Sequence, residues 1–373
     1  MPARVRTSGG HGPGRRAPNR RASGRIAPGR IVPRLAAALV VALLVAVGAV
    51  ACGSSGLKVG LAYAIGGPGD DGFNDLALAG LNRAQKQLSG SISSVRALTA
   101  RSDETPEDQY RRLTLLCESG YDPVIAVGFT YAGDDPSDSP LARAAKDCPH
   151  TRFGIVDDDS VRAGNVANLV FADQQGAYLM GIVAAEESVT GTIGLVGACD
   201  VPVVDRFLAG YQAGADRVRP GVRVLDGYAS SDPSSCDFTD PGPARTAAAR
   251  LYAQGADVVF QVAGGAGTGV FQAAVDSGAK AIGVDTDQYR TAPPQLRPVI
   301  LTSLVKRVDV AVYDFIDQVV AHRFRAGVTR YDLADDGLEY ATSGGRITDL
   351  VPVLDAYRKK IISGAIVVPA SSR

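Results

Sequence analysis

Carboxylates recur in this chain directly after short apolar runs. Asp157, Asp158 and Asp159 follow RFGIV, and Asp285 and Asp287 follow KAIGV. Lys306 ends a comparable run, ILTSLVK, and an aromatic group (Phe129, Thr130, Tyr131) stands in the segment GFTYAG. A glycine-rich turn, GGPGDDGFND, presents Asp70, Asp71, Phe73 and Asn74, and a second one, GGAGTG, begins at Gly264 and contains Gly265. Each carboxylate oxygen accepts hydrogen bonds from hydroxyls, and an ammonium donates to the same kind of group. An aromatic ring stacks on a planar base, and glycine lets the backbone approach it closely. Any one acid could be a cap or a solvated face; their recurrence at strand ends points to binding. The ligand this set suits is small, neutral, hydroxyl-bearing and part-aromatic. A nucleoside fits that description.

Other chemistries fit less well. A calcium loop needs an invariant glycine and a distal glutamate that the acidic runs lack. There is no C-x-x-C, and the only histidines are His11, His150 and His322, so no metal site and no cofactor is expected. The glycine loop fails as a dinucleotide fingerprint, because the third glycine would fall on Val270 or Gln272. No Gly-Lys-Ser/Thr follows it, and no G-x-S-x-G elbow or Ser/Cys–His pair exists. Hydrolysis of a nucleoside or sugar by the aspartates is kept as an alternative to binding; the protein is expected not to be an enzyme.

The elements that would position these groups alternate. Strand-like runs begin near Val59, Val95, Val124, Phe153, Ala167, Ile193, Val224, Val258, Ala281 and Ile300, with helical patterns between most of them. That is βαβ spacing, with parallel sheets covered on both faces. In such sheets ligands bind outside the carboxyl ends of the strands. Ten strands exceed one compact sheet, so two lobes are expected, changing over near Arg162–Asn165. In the first unit, the run Leu57 to Ile65 reads as a buried strand, and Asn74 as the N-cap of the following helix.

Residues 1–51 hold nine arginines and no acid; the remaining 30 basic residues face 39 acids, a net of about −9. That excludes a nucleic-acid footprint in the folded part. Sixteen uncharged residues from Leu35 to Val50 are too short for a comfortable span and suit a signal-peptide core. They end in Ala49-Val50-Ala51-Cys52, which resembles a bacterial lipobox with Cys52 as the lipidated residue; a plain transmembrane anchor is the alternative. The long Arg/Gly-rich leader reads either as a basic arm or as a start placed upstream of the true one, at Val32. Four further cysteines suit an exported, disulfide-bonded protein. Three pairings are open, and the expected one is Cys117–Cys148 with Cys199–Cys236, one bridge per lobe.

Six stretches, in order, cover essentially all of Lys58–Val368: GGPGDDGFND, NVANLVFADQQGAYLMGIVAA, VGACDVPVVDRFLAGYQAG, GADVVFQVAGGAGTGV, AIGVDTDQ and LTSLVKRVDVAVYD. As a set they resemble the basic membrane protein (BMP) lipoproteins, the nucleoside-binding, PnrA-like components of ABC importers. The resemblance implies an α/β protein of the type I periplasmic-binding-protein fold, with two doubly wound lobes, three crossings, a hinge and an interlobe cleft. The expected N-terminal lobe is 58–163 with 290–322, and the C-terminal lobe 164–289 with 323–373, after a leader at 1–51 and a lipidated tether at 52–57. Carried over by motif, Phe73 and Phe207 would cover the two faces of the base. Asp157, Asp285 and Lys306 would hold the ribose hydroxyls, with Gly265 and Asn74 adding backbone and polar contacts. A purine nucleoside is the ligand expected first, but where the family usually has aspartate after the first strand this chain has Tyr63-Ala64, so an altered or broadened base preference is expected, with Asp70 or Asp71 compensating. The resemblance also implies a monomeric lipoprotein on the extracytoplasmic face of the cell membrane, with permease and ATPase partners. A nucleoside or sugar sensor without transport is the alternative.

Overall fold

The computed structural model describes residues 56–101, 103–232 and 236–373. The basic leader and the lipobox with Cys52 lie outside the described residues. Within residues 57–373 the chain forms two six-stranded sheets.

The first sheet is wholly parallel, in the order β11-β5-β4-β3-β1-β2. Its strands are β1 (Leu57–Ala62), β2 (Ile92–Leu98), β3 (Val124–Ala126), β4 (Phe153–Val156), β5 (Val166–Phe171) and β11 (Gly327–Tyr331). The second, in the order β12-β10-β9-β8-β6-β7, contains β6 (Thr192–Gly197), β7 (Arg223–Tyr228), β8 (Val258–Val262), β9 (Lys280–Asp285), β10 (Ile300–Lys306) and β12 (Leu338–Tyr340). Only β12 runs antiparallel to its neighbour. Strands such as VANLVF and VVFQV are buried along their whole length, as expected of parallel strands covered by helices on both faces. The edge strands β2 and β7 keep exposed polar positions, which blunts further strand pairing.

All ten expected strands form. The two that composition does not announce, β11 and β12, are short and close their sheets by pairing with distant partners. The chain crosses between the sheets three times. It leaves β5 at Phe171 for helix α4 (Asp173–Glu187), leaves β10 at Lys306 for α8 (Val308–Val320), and runs from β11 to β12 between Tyr331 and Leu338. These crossings displace the expected lobe boundaries. The change-over is not at Arg162–Asn165, because β5 still pairs with β4 in the first sheet. Likewise β10 pairs with β9 in the second lobe and β11 with β5 in the first. An apolar run shows that a strand exists, but not which sheet it joins.

Packing at the second lobe is backbone-close. Helix α4 lies against α5 (Pro202–Val218), where a Cβ on Gly214 would sit 1.9 Å from the Tyr178 carbonyl oxygen. Only glycine allows that approach. Cys117 pairs with Cys148 in the first lobe, and Cys199 with Cys236 in the second.

Candidate functional site

The carboxyl ends of both sheets face a cavity of about 330 Å³, within the range of small-molecule sites. The loop after β1 supplies Ala64, Asp70, Phe73 and Asn74, and the loops after β3 and β4 supply Phe129, Thr130 and Asp157. From the second lobe come Phe207, Gly265, Asp285 and Lys306. All seven ligand residues expected from sequence therefore line one cavity.

Their local roles differ from expectation at Asn74. Helix α1 (Phe73–Gln87) begins two residues earlier, with Gly72 at the N-cap position and no side-chain cap there. Asp70 does the capping. Its carboxylate accepts from the backbone N–H groups of Gly72 (2.9 Å), Asn74 (2.9 Å) and Asp75 (3.1 Å), and from Asn74 Nδ2 (3.1 Å). A carboxylate at a helix N-terminus satisfies orphan donors and meets the positive end of the helix dipole. Asn74 Oδ1 meanwhile accepts from the Ala64 N–H at 3.1 Å. Asp70 thus has four internal donors and is not free to replace a missing acid at position 64.

At the other end of the cavity Lys306, only 2% exposed, stands where β10 leaves for the first lobe. Its Nζ donates to Asp157 Oδ2 of the first lobe at 2.7 Å and lies 3.0 Å from Asp173 Oδ1, the first residue of α4. It also lies 4.9 Å from the ring centre of Phe171, 5.6 Å from Phe207 and 5.7 Å from Phe73, within cation–π range. Burial lowers the Lys306 pKa, yet Asp157, Asp173 and Asp285 outweigh it and the group is held above its ordinary value. Burial pushes the Asp285 carboxyl up to about 7; Lys306 opposes this, while Asp157, Asp70 and Asp173 add to it. Asp173 is raised as well, by burial first, with Asp157 adding and Lys306 opposing.

Asp157 and Asp285 occupy matching strand ends in the two lobes, and both are left-handed, with φ of 67° and 66°. Aspartate tolerates that region better than most residues, and such backbone strain clusters at functional sites. Asp157 Oδ1 is buried without a hydrogen-bond partner among the described residues. A buried acceptor left open is costly unless something fills it, and a ligand hydroxyl would.

Asp158 and Asp287 are tied up locally, and Asp159 is exposed. Asp158 Oδ1 accepts from the Ser160 N–H (2.8 Å) and Oγ (2.7 Å), and Asp287 accepts from Ser343 Oγ and pairs with Arg290. Tyr131 is buried in the first lobe, donating to the Tyr63 carbonyl at 2.8 Å. Three residues went unnoticed in the sequence. Asp173 looks like an ordinary acid in a helix's first turn, and Phe238 and Thr239, which line the cavity, sit in a loop without periodicity. Only the disulfide at Cys236 could have drawn attention to that loop.

Over residues 58–372 the sequence matches the family described as ABC transporter substrate-binding protein PnrA-like. The chain is 32% identical to the ABC transporter nucleoside-binding protein BmpA of Lactococcus lactis, over 86% of this chain and 92% of that protein. It is 30% identical to the CD4+ T-cell-stimulating antigen of Listeria monocytogenes, over 85% and 89% respectively. Among solved structures, an ABC transporter solute-binding protein from Aeropyrum pernix aligns with a TM-score of 0.70 at 27% identity, covering 85% of this chain and 94% of that one.

Proposed function

This chain belongs to the PnrA-like substrate-binding proteins of ABC transporters, and we propose that it captures a nucleoside in the interlobe cavity and hands it to a membrane permease and its ATPase. The observation that carries this is the open Asp157 oxygen in one cavity with Asp285 and Lys306, whose Nζ lies 5.7 Å and 5.6 Å from the Phe73 and Phe207 ring centres. The sugar hydroxyls donate to Asp157 and Asp285 and accept from Lys306, and the base lies between the rings. Gly265 offers backbone to the base. We place the protein on the extracytoplasmic face of the cell membrane, anchored through lipid on Cys52 and acting as a monomer without a cofactor. The sequence pattern at Cys52 and the relative's nucleoside-binding name support that assignment.

Isothermal titration of the purified protein with inosine, adenosine, uridine and D-ribose tests it. A nucleoside is expected to bind at least about 100-fold more tightly than free ribose, since the base contributes buried apolar area that the sugar lacks. Ribose binding as tightly as every nucleoside would overturn it.

Asp173 acts through Lys306, as a positioning residue. Asp173→Asn is expected to weaken nucleoside binding about tenfold, the scale of one hydrogen bond to a charged group. Cooperative unfolding should persist, and the pH dependence of binding should change because one of the carboxylates facing Lys306 is gone. An unchanged affinity with an unchanged pH profile would remove Asp173 from this role.

A further inference from the structure

The cavity has two chemically different ends. Around Lys306 it is charged; at the opposite end Ala64, Phe129, Val203 and Phe238 form its wall. Phe129 belongs to the first lobe and Phe238 to the second, and their rings meet edge-on at 6.2 Å and 73°. Phe238 stands two residues beyond Cys236, which its disulfide ties to Cys199, just past the end of β6. The ideal Cβ position of Gly264 is 3.4 Å from the Phe238 Cβ, so this ring sits against the glycine turn.

Polar atoms at the outer end are unevenly free. Most acceptors already hold a donor; Thr239 Oγ1, which donates to Asp237 Oδ1 at 2.6 Å, is an exception. Asp70 holds four donors, Asn74 Oδ1 takes the Ala64 N–H, and the Ala64 carbonyl takes the Gly67 N–H at 3.1 Å. The Phe238 carbonyl accepts from the Ala266 N–H at 2.8 Å, and the Gly265 carbonyl from Thr268 Oγ1 at 3.2 Å. Donors remain. Thr130 Oγ1 accepts from Gln109 Nε2 at 3.3 Å, which leaves its own hydrogen to give. Asn74 Nδ2 has one hydrogen committed to Asp70 and a second to spare.

We infer that this end of the cavity selects nucleosides whose outer base edge is rich in acceptors and poor in donors, with Phe238 and Ala64 as the residues that set the preference. The inference rests on the nucleoside assignment above. A base edge carrying N–H groups would give up water and meet acceptors that mostly hold a donor already, and an unsatisfied buried donor is penalised more than a made hydrogen bond is rewarded. An edge carrying ring nitrogens alone meets the Thr130 hydroxyl and the Asn74 amide. Guanosine, with N1–H and a 2-amino group, is the disfavoured case. Purine riboside, which has no exocyclic group, is the favoured one.

The test is titration of the intact protein with purine riboside and guanosine, in the wild type and in Ala64→Asp and Phe238→Ser. The wild type is expected to bind purine riboside at least about tenfold more tightly than guanosine, the scale of one unmet donor. Ala64→Asp, which adds an acceptor at the outer end, should shift the ratio toward guanosine by about tenfold or more, and Phe238→Ser should weaken purine riboside. Guanosine binding as tightly as purine riboside in the wild type would overturn the inference while leaving nucleoside binding intact. Failure of both nucleosides to bind would overturn the nucleoside assignment itself, and the inference with it. Circular dichroism on both variants shows whether each is folded; if Ala64→Asp does not fold, the wild-type ratio and Phe238→Ser decide.

Discussion

Lys306→Met is expected to destabilise the ligand-free protein by about 3–5 kcal/mol, the range for removing one partner of a buried ion pair, and to abolish binding. The side chain fills a fully buried position, so methionine preserves most of the volume and removes only the charge. What stays behind is Asp157, Asp173 and Asp285, with Arg206, 3.6 Å from Asp173, as the one cation among the described residues still paired with the group. Like charges in a low-dielectric site raise one another's pKa. A carboxyl whose folded-state pKa lies above its unfolded value contributes stability that is complete below the unfolded value, about 3.9. That contribution is lost as pH rises through the folded value. The deficit of Lys306→Met should therefore be smaller at pH 5 than at pH 8. Urea unfolding at the two pH values measures it, and an equal deficit at both would show that the three carboxylates are not electrostatically joined through Lys306.

Asp285→Ala should lower nucleoside affinity by about 10- to 100-fold, because a ligand hydroxyl buried in the cleft would lose its acceptor. The variant carries a second signature. With its carboxyl pushed up to about 7, Asp285 in the empty cleft is largely protonated at pH 6, whereas hydroxyl donors favour the ionised form. Binding should release a proton near pH 7, and wild-type affinity should rise between about pH 6 and 8. Titration in two buffers of different ionisation enthalpy detects that proton, and Asp285→Ala should not release it. The empty protein should respond in the opposite sense. Since the folded pKa exceeds the unfolded one, the Asp285 contribution to stability is complete below about pH 4 and is lost as pH rises toward 7. Ligand-free Asp285→Ala should accordingly gain stability relative to wild type as pH is raised. A wild-type affinity that is flat across this range would remove Asp285 from the hydroxyl-binding role.

Much of the architecture is written locally. Runs such as RFGIV and KAIGV are strands because they are short, apolar and bounded by turn residues, and their spacing makes the sheets parallel. The aspartates that follow them fall at the carboxyl edge for the same reason, so the cavity's wall residues are legible before any coordinates. Motif carried Phe207 to the same place, on a helix whose helical pattern alone marks Phe207 as core. The cysteine pairing followed from which elements neighbour one another.

What local pattern leaves open is partnership across distance. β5 and β10 look alike in sequence, yet one joins the first sheet and the other the second, because pairing is settled by what the crossings allow. Asp70 and Asp71 are adjacent and equally acidic, but only the folded loop turns four donors onto Asp70 and so withdraws it from ligand chemistry. Asp173 reads as a helix-start acid until the hinge sets it 3.0 Å from Lys306. The residue types that bind are therefore readable along the chain. Which of their polar atoms remain free depends on hydrogen bonds between segments far apart in sequence, and those exist only once both lobes have folded.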